Sequence, residues 1–186
     1  MRTQLKTKEL VFAALFAAFI AVLGMIPPIP LGFVPVPVTA QTLGVMLAGC
    51  FLGKRIATVS LILFIILMAL GLPILSGGRG GLAVLIGPSS GYIFSWPIAA
   101  FLIGYIVEKI WPKLMLWKLL TINIVFGVIL VSLIGASVMA LIMHTSIWAG
   151  LISSAVFLPG DIIKAIIAAV VAFQLKTISP IEEKAQ

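Results

Sequence analysis

The chain has 186 residues, of which 62% are hydrophobic and only 9% are charged. Soluble domains carry about 25% charged residues, so this chain has too few polar side chains to cover a globule in water, and we predict an all-α integral membrane protein. The net charge of +7 does not indicate a nucleic-acid-binding protein, because the basic residues lie between apolar runs, where they determine membrane topology.

Six apolar runs are predicted to be spanning helices, and the first of them approaches the roughly 20 residues that a spanning helix requires. They are expected at residues 10–26, 40–52, 56–70, 90–107, 119–143 and 160–175. Residues 1–186 are therefore predicted to form a single six-helix membrane domain.

Helix 1 carries alanines at four-residue spacing, a pattern that lets a second helix approach closely. They are Ala13, Ala17 and Ala21 and, one position further on, Ala14 and Ala18. The spacing alone fits packing within this protein and docking of a partner subunit equally well.

Prolines end helix 1 and recur in the segment that follows it, because proline cannot continue a helical hydrogen-bond ladder. Residues 27–39 are therefore expected to be an irregular loop. The loop is apolar, with Phe33 and Val34 near its centre, which is unusual for a segment in water. We expect it to fold back over the protein as a cap between helices 1 and 2.

Two segments between the first helices carry polar groups. Gln41 lies in the first turn of helix 2, and its amide can both donate and accept hydrogen bonds, so it could bind a ligand or hold the backbone of the loop. Arg79 lies within a glycine run, residues 76–81, that lacks the Gly-Lys-Ser/Thr ending of a phosphate-binding loop. The glycines are expected to permit tight turns.

The start of helix 4 is also polar, with Ser89 and Ser90 followed by Tyr92. A helix start exposes free backbone N–H groups and the positive end of the helix dipole, which suits a carboxylate. Capping of the helix would explain the two serines equally well.

An acid and a base open the last apolar run. Asp161 and Lys164 are three residues apart, so they share one face of a helix. Ionisable residues at membrane depth usually mark functional sites. The alternative is that the two charges neutralise each other and brace the end of the helix.

Six spans place the N-terminus, the turn at residues 53–55, the 108–118 loop and the C-terminal tail on one side of the membrane. Apart from Arg79 and Lys164, all of the 12 lysines and arginines fall on that side. The positive-inside rule makes it cytoplasmic, with both termini inside. The polar starts of helices 2, 4 and 6 then gather outside, which predicts an outward-facing pocket for a small amphiphile with a negative group.

The sequence gives little support for catalysis or for coupled transport. The chain has one histidine and one cysteine, and no second ligand at metal spacing, so no metal or cofactor is expected. It has no nucleotide-binding motif, and no charged residue midway along helices 1, 2, 3 or 5, where a coupled carrier usually has polar groups. The protein is predicted to bind a ligand without powering its transport.

At these residues the sequence resembles the biotin-specific substrate-binding (S) component of energy-coupling factor (ECF) transporters, the BioY family. Five short motifs, in order along nearly the whole chain, carry the resemblance. They are Val38-Thr-Ala-Gln-Thr-Leu43, Gly71-Leu-Pro73, Gly77-Gly-Arg-Gly-Gly-Leu82, Gly87-Pro-Ser-Ser-Gly-Tyr92 and Pro159-Gly-Asp-Ile-Ile-Lys164. The family usually has Gly-Pro-Thr-Gly-Gly-Tyr in the fourth motif, so this chain departs from the pattern at two small residues.

The resemblance implies a bacterial plasma-membrane protein that binds biotin with high affinity and has no ATPase of its own. It would dock onto an ECF transmembrane coupling protein with two ATP-binding subunits, and the alanines of helix 1 look like the docking face of the family.

With biotin as ligand, we predict that Asp161 accepts a ureido N–H, that Gln41 contacts the same ring and that Arg79 binds the carboxylate. Lys164 would pair with Asp161, donate to the ureido oxygen or meet the carboxylate. Phe33 and Val34 would cover the thioether ring. An S component for another vitamin, a stand-alone carrier, an intramembrane enzyme and a structural subunit are the alternatives.

Overall fold

The computed structural model describes residues 7–32 and 34–181, so Phe33 lies outside the described residues. The elements in chain order are α1 (Thr7–Gly24), β1 (Ile29–Leu31), β2 (Val34–Val38), α2 (Gln41–Ala69), α3 (Leu82–Ile86), α4 (Ser90–Ile110), α5 (Leu116–Ile122), a π-helical segment (Asn123–Leu130), α6 (Val131–Ile142), α7 (Ile147–Ser154) and α8 (Leu158–Gln174). Short 3-10 turns occupy Trp111–Lys113, Ala155–Phe157 and Lys176–Ile178.

Five helical stretches within the described residues are long and apolar enough to cross a membrane. They are Thr7–Gly24, Gln41–Ala69, Ser90–Lys113, Leu116–Ile142 and Ile147–Gln174. The sequence predicts six spans, and the difference lies in α2, which contains both the second and the third predicted helix.

Helix α2 is broken at Gly53, whose φ of 77° and ψ of 172° are not helical and are readily adopted only by glycine. A straight helix of 29 residues would be about 43 Å long. Gln41 at the start of α2 nevertheless donates a hydrogen bond to the carbonyl of Ile74, just beyond its end, at 3.1 Å. The first arm (residues 41–52) and the second arm (residues 54–69) therefore run in opposite directions from a reversal where the sequence predicts a turn.

Glu108 of α4 fixes this reversal. Its Oε1 accepts a hydrogen bond from the Lys54 N–H at 2.9 Å, and its Oε2 pairs with the Lys54 ammonium at 3.1 Å. A Cβ on Gly53 would collide with the same Oε1 atom. The carboxylate thus occupies the space that the glycine leaves and satisfies a free N–H at the start of the second arm.

The segment after α1 is a β-hairpin rather than the predicted irregular loop. Strands β1 and β2 pair in antiparallel fashion, with Ile29 opposite Val38 and Leu31 opposite Val34. The sequence of β2 alternates valine and proline, and Val34 and Val36 are buried while Pro35 is exposed. Proline is tolerated in an edge strand, so this alternation with a period of two was a strand signal.

For residues 144–157 the sequence predicts a short connection and a lead-in to the last helix, and the structure has helix α7 and a 3-10 turn that leads directly into α8. The hydroxyl of Ser146 accepts a hydrogen bond from the N–H of Ala149 at 3.2 Å and caps α7. A serine at this position is a standard signal for a helix start.

Helix α8 packs closely against the first arm and the π-helical segment. Four alanines of α8 that are at most 4% exposed form this contact: Ala165, Ala168, Ala169 and Ala172. Asn123, fully buried, donates a hydrogen bond to the carbonyl of Ala165 at 3.3 Å and accepts one from the thiol of Cys50 at 3.1 Å. This bridge ties together α8, the π-helical segment and the first arm.

The two ends of the helix bundle differ in charge. The Gly53 reversal, the end of α4 and the segment after α8 meet at one end, the basic end, where the Lys176 ammonium lies 5.4 Å from the centroid of the Trp111 ring. Ser179, in the predicted polar tail, is buried there and donates a hydrogen bond to the Phe51 carbonyl at 2.6 Å. The starts of α2, α4 and α8 meet at the opposite end.

Candidate ligand-binding site

A cavity lies at the end of the bundle opposite the basic end and encloses about 550 Å³ of empty space, counted together with its open mouth. The starts of α2, α4 and α8, strand β2 and the segment around Arg79 form its walls. The lining residues are Val36, Pro37, Val38, Thr39, Gln41, Thr42, Leu75, Arg79, Ser89, Tyr92, Ile93, Trp96, Val131, Phe157, Asp161 and Lys164. Most of these side chains are apolar or aromatic, with a few polar groups among them, as is typical of small-molecule sites.

Asp161 and Lys164 form a salt bridge on the α8 wall, with the ammonium 2.6 Å from Oδ1. Their side chains are only 13% and 12% exposed. Lys164 also donates hydrogen bonds to the carbonyl of Thr39 at 2.7 Å and to the hydroxyl of Thr42 at 2.8 Å. An ammonium has three donors, so these contacts use all of them.

The Thr42 hydroxyl closes the network by donating a hydrogen bond to Oδ1 of Asp161 at 3.1 Å. In the described part of the chain, the contacts of Asp161 thus use Oδ1, and none of them uses Oδ2. A carboxylate that is held in place and still has a free oxygen can accept a hydrogen bond from a ligand N–H.

Arg79 lies near Ser89 at the start of α4. Its Nε donates a hydrogen bond to the Ser76 carbonyl at 3.1 Å, and its Nη1 donates one to the Ser89 hydroxyl at 3.4 Å. Gly77 and Gly78, with φ of 79° and 69°, form the tight turn that brings Arg79 back beside Leu75. The Ser89 hydroxyl does not cap α4, so capping does not explain this serine.

Arg79 has no carboxylate partner within residues 7–32 and 34–181. Partial burial lowers the pKa of its guanidinium, but the group stays charged at neutral pH. A half-buried cation that lines a cavity without a counter-ion suits an anionic group of a ligand.

Gln41 is fully buried, and its amide bonds the backbone on two sides. Its Nε2 donates hydrogen bonds to the carbonyls of Ile20 and Ile74, both at 3.1 Å. Its Oε1 accepts one from the N–H of Ser76 at 3.0 Å. These bonds match the backbone-holding alternative for Gln41, and they connect α1 and the first arm to the segment that carries Arg79.

Aromatic side chains form the wall on the α4 side of the cavity. The rings of Tyr92 and Phe157 meet edge to face, with centroids 6.0 Å apart, and the Trp96 ring lies 6.0 Å from that of Phe64. A Cβ on Gly135 of α6 would collide with the Tyr92 ring, so this glycine makes room for it. The Tyr92 hydroxyl and the Trp96 indole N–H are buried without a hydrogen-bond partner.

The structure brings most of the predicted polar residues to this cavity: Gln41, Arg79, Ser89, Tyr92, Asp161 and Lys164. Ser90 is buried but does not line it. Val34 packs against Met139 and Phe157 and does not line the cavity, whereas the later residues of β2, Val36, Pro37 and Val38, do.

Three of the lining residues that sequence reasoning missed lie close to predicted ones. Thr42 follows Gln41 directly, Trp96 lies one helical turn after Tyr92, and Phe157 directly precedes α8. The four-residue spacing of Tyr92 and Trp96 was a usable signal, because residues at that spacing share a helix face.

The alanines of α1 lie away from the cavity and divide into two sets. Ala13 and Ala17 are 1% and 3% exposed and belong to the core that α1 forms with α2. Ala14 and Ala18 are exposed, and Ala21 is half-buried. One set therefore serves packing within the chain, and the other lies on the outer surface.

Comparison with known proteins gives concordant results. Residues 1–180 match the sequence profile of a family described as the BioY family. The Biotin transporter BioY of Rhizobium etli is 40% identical, over 89% of this chain and 91% of that protein. The Biotin transporter BioY of Lactococcus lactis is 41% identical, over 95% of this chain and 94% of that protein.

A solved structure is also similar to the whole fold. It is described as the crystal structure at 2.1 Å of the S-component for biotin from an ECF-type ABC transporter. The TM-score is 0.89 at 40% sequence identity, and the match covers 95% of each chain.

Proposed function

This chain belongs to the BioY family, and from that membership we propose that it is the biotin-binding S component of an ECF-type transporter. It captures biotin in the cavity and relies on partner subunits for ATP hydrolysis. The observation that carries the proposal is the cavity itself, in which Asp161 and Arg79 offer an acceptor and a cation among aromatic, apolar and hydroxyl-bearing side chains.

Biotin has a ureido ring, a thioether ring and a valerate tail, and each part has a counterpart in the cavity. Asp161 accepts a ureido N–H through its Oδ2, and such a charge-assisted bond contributes about 1.5 to 3 kcal/mol. Gln41 contacts the same ring while its amide donors hold the backbone around it. Lys164 pairs with Asp161 and holds that carboxylate in place.

The valerate carboxylate binds Arg79, with Ser89 and the start of α4 beside it. The N-terminus of α4 adds a partial positive charge that favours an anion. Tyr92 lies one turn further along α4, against the rings of the ligand. Ser90, buried behind this wall, supports the start of the helix.

The β1–β2 hairpin is the lid of the site. Val36 and Val38 line the cavity and cover the thioether ring, while Val34 anchors the strand against Phe157. Phe33, at the tip of the hairpin sequence, contributes to the same cover. Burial of this apolar surface excludes water from the polar contacts beneath and strengthens them.

We place six spans in the membrane by counting the two arms of α2 separately, with both termini in the cytoplasm of a bacterial cell. The basic end then faces inward, in agreement with the positive-inside rule. The first arm would be about 18 Å long, whereas a bilayer core is about 30 Å thick. Because the first arm is short, the cavity above it lies within the outer half of the membrane.

The partners are an ECF transmembrane coupling protein and two ATP-binding subunits. The exposed alanines of α1, Ala14 and Ala18, with Ala21 at the edge, form the docking face for the coupling protein. Ala13 and Ala17 support this face from within, because they fix α1 against α2.

Biotin binding to the purified, detergent-solubilised protein tests the proposal by isothermal titration calorimetry. We expect one biotin per chain, with affinity reduced about 10- to 100-fold in Asp161→Asn, because the variant keeps the shape of the side chain and removes its charge. Glu108→Gln, a matched change at the basic end, leaves the affinity unchanged. Binding of another vitamin in place of biotin, or of no ligand, would overturn the proposal.

A further inference from the structure

We infer that the indole N–H of Trp96 is a ligand-binding donor and that, together with the Tyr92 hydroxyl, it receives the ureido oxygen of biotin. The inference rests on the proposed function and extends it to residues on the α4 wall of the cavity.

The first observation is that the Trp96 donor is buried without a partner. Trp96 is 4% exposed and lines the cavity, and its Nε1 has no hydrogen-bond partner. Buried polar groups in native proteins are nearly always hydrogen-bonded. An indole N–H can only donate, so only an acceptor in the cavity can satisfy it.

The second observation is that a further unpartnered group lies on the same helix face. Tyr92 precedes Trp96 by four residues and lines the same cavity. Its hydroxyl is also buried and makes no hydrogen bond of accepted geometry, with the Ser154 side chain as a polar neighbour. Ser95, next to Trp96, donates its hydroxyl to the Tyr92 carbonyl at 2.6 Å, and neither the Tyr92 hydroxyl nor the Trp96 indole is hydrogen-bonded to it. Two donors one turn apart can converge on one acceptor between them.

Ser60 supplies a contrast within the same structure. Its hydroxyl is also buried without a partner, but it does not line the cavity. It lies on the second arm of α2, one turn before the Phe64 ring that contacts Trp96. Ser60 is therefore a matched control, an unsatisfied hydroxyl close to the site that a ligand in the cavity does not reach.

The position of Arg79 in the cavity indicates which part of the ligand lies beside Trp96. Arg79 bonds to Ser89, which lies about 10 Å before Trp96 along the axis of α4. The carboxylate belongs at the Arg79 end, so the acceptor at Trp96 belongs to the opposite, neutral end of the ligand. Asp161 accepts an N–H there, and a cyclic urea carries a carbonyl oxygen next to its N–H groups.

An acceptor on α8 and two donors on α4, which line the same cavity, are thus complementary to a urea. The same arrangement rejects an analogue in which the carbonyl oxygen is replaced by a protonated imine, because donors would then face donors. A site with polar groups that a ligand leaves unpaired discriminates strongly against that ligand.

The test uses the full chain in detergent with biotin and 2-iminobiotin as probes. We expect wild type to prefer biotin at least 100-fold, and Trp96→Phe to reduce biotin affinity at least tenfold while 2-iminobiotin affinity changes less than threefold. Tyr92→Phe has a smaller effect in the same direction. Ser60→Ala leaves both affinities unchanged.

A spectroscopic readout does not depend on the folding of any variant. The chain has four tryptophans, so ¹⁵N-indole labelling gives four indole N–H resonances. We expect saturating biotin to shift the Trp96 proton resonance downfield, as a newly accepted hydrogen bond does. Biotin binding that leaves this resonance in place, or equal losses for the two probes in Trp96→Phe, would overturn the inference while the proposed function stands. Absence of biotin binding to wild type would overturn both.

Discussion

The chain contains two lysine–carboxylate pairs at opposite ends of the bundle, and they differ in burial. Lys54 and Glu108, at the basic end, have side chains that are 40% and 27% exposed. Lys164 and Asp161, at the cavity, are 12% and 13% exposed. An exposed pair contributes little to stability, whereas a buried pair costs desolvation that its own attraction barely offsets. The comparison teaches that the more exposed pair fixes a turn, and it is consistent with our proposal that the buried pair serves the ligand site.

Removing one partner of the buried pair tests this contrast most strongly. Lys164→Met leaves Asp161 buried without a counter-ion, which destabilises a protein by about 3 to 5 kcal/mol. We expect a large fall in the midpoint of thermal unfolding in detergent and loss of biotin binding. The double variant Asp161→Asn/Lys164→Met should recover most of the stability but not the binding. Recovery of both would show that the pair is structural.

Arg79 extends the comparison, because it is a cation that lines the cavity without belonging to the Asp161–Lys164 pair. We expect Arg79→Gln to weaken biotin binding about tenfold, the loss of one charge-assisted bond at a partly exposed position. Biotin amide, which lacks the carboxylate charge, should bind wild type and variant alike. Calorimetry with both ligands measures this difference, and equal losses for the two ligands would contradict a contact between Arg79 and the carboxylate.

The exposed pair should give the smallest effect. Glu108→Gln keeps an oxygen that can accept the Lys54 N–H and removes only the charge, so the free energy of unfolding should fall by less than about 1 kcal/mol. A much larger loss, seen as an unfolding midpoint close to that of Lys164→Met, would mean that burial does not separate the two pairs.

The polar residues of the site could be predicted from the sequence because they stand out in an apolar chain. A count of charges and a predicted topology are enough to place three of them, Asp161, Lys164 and Arg79, at the same end of the bundle. The structure brings all three to one cavity. Trp96 does not stand out in the sequence. Both the lipid-facing and the buried faces of a membrane helix are apolar, so the sequence pattern does not reveal which face of α4 points to the cavity.

Contacts that depend on distant backbone were also beyond sequence reasoning. Gln41 bonds Ile20 and Ile74, which lie 21 and 33 residues away, and only the reversal at Gly53 brings the second of these within reach. The hairpin is hidden for a different reason: prolines usually indicate a break in regular structure, although their alternation with buried valines is compatible with an edge strand.

The alanine packing of α8 beneath the cavity has an electrical consequence. On the proposed topology, with the cavity facing outward, this closely packed layer, rather than the cavity above it, carries most of the membrane voltage. A charge that crosses the full potential exchanges about 2.3 kcal/mol per 100 mV. An anion held beside Arg79 lies above the layer, so its capture should be nearly independent of voltage, whereas its delivery to the cytoplasm must work against an inside-negative potential.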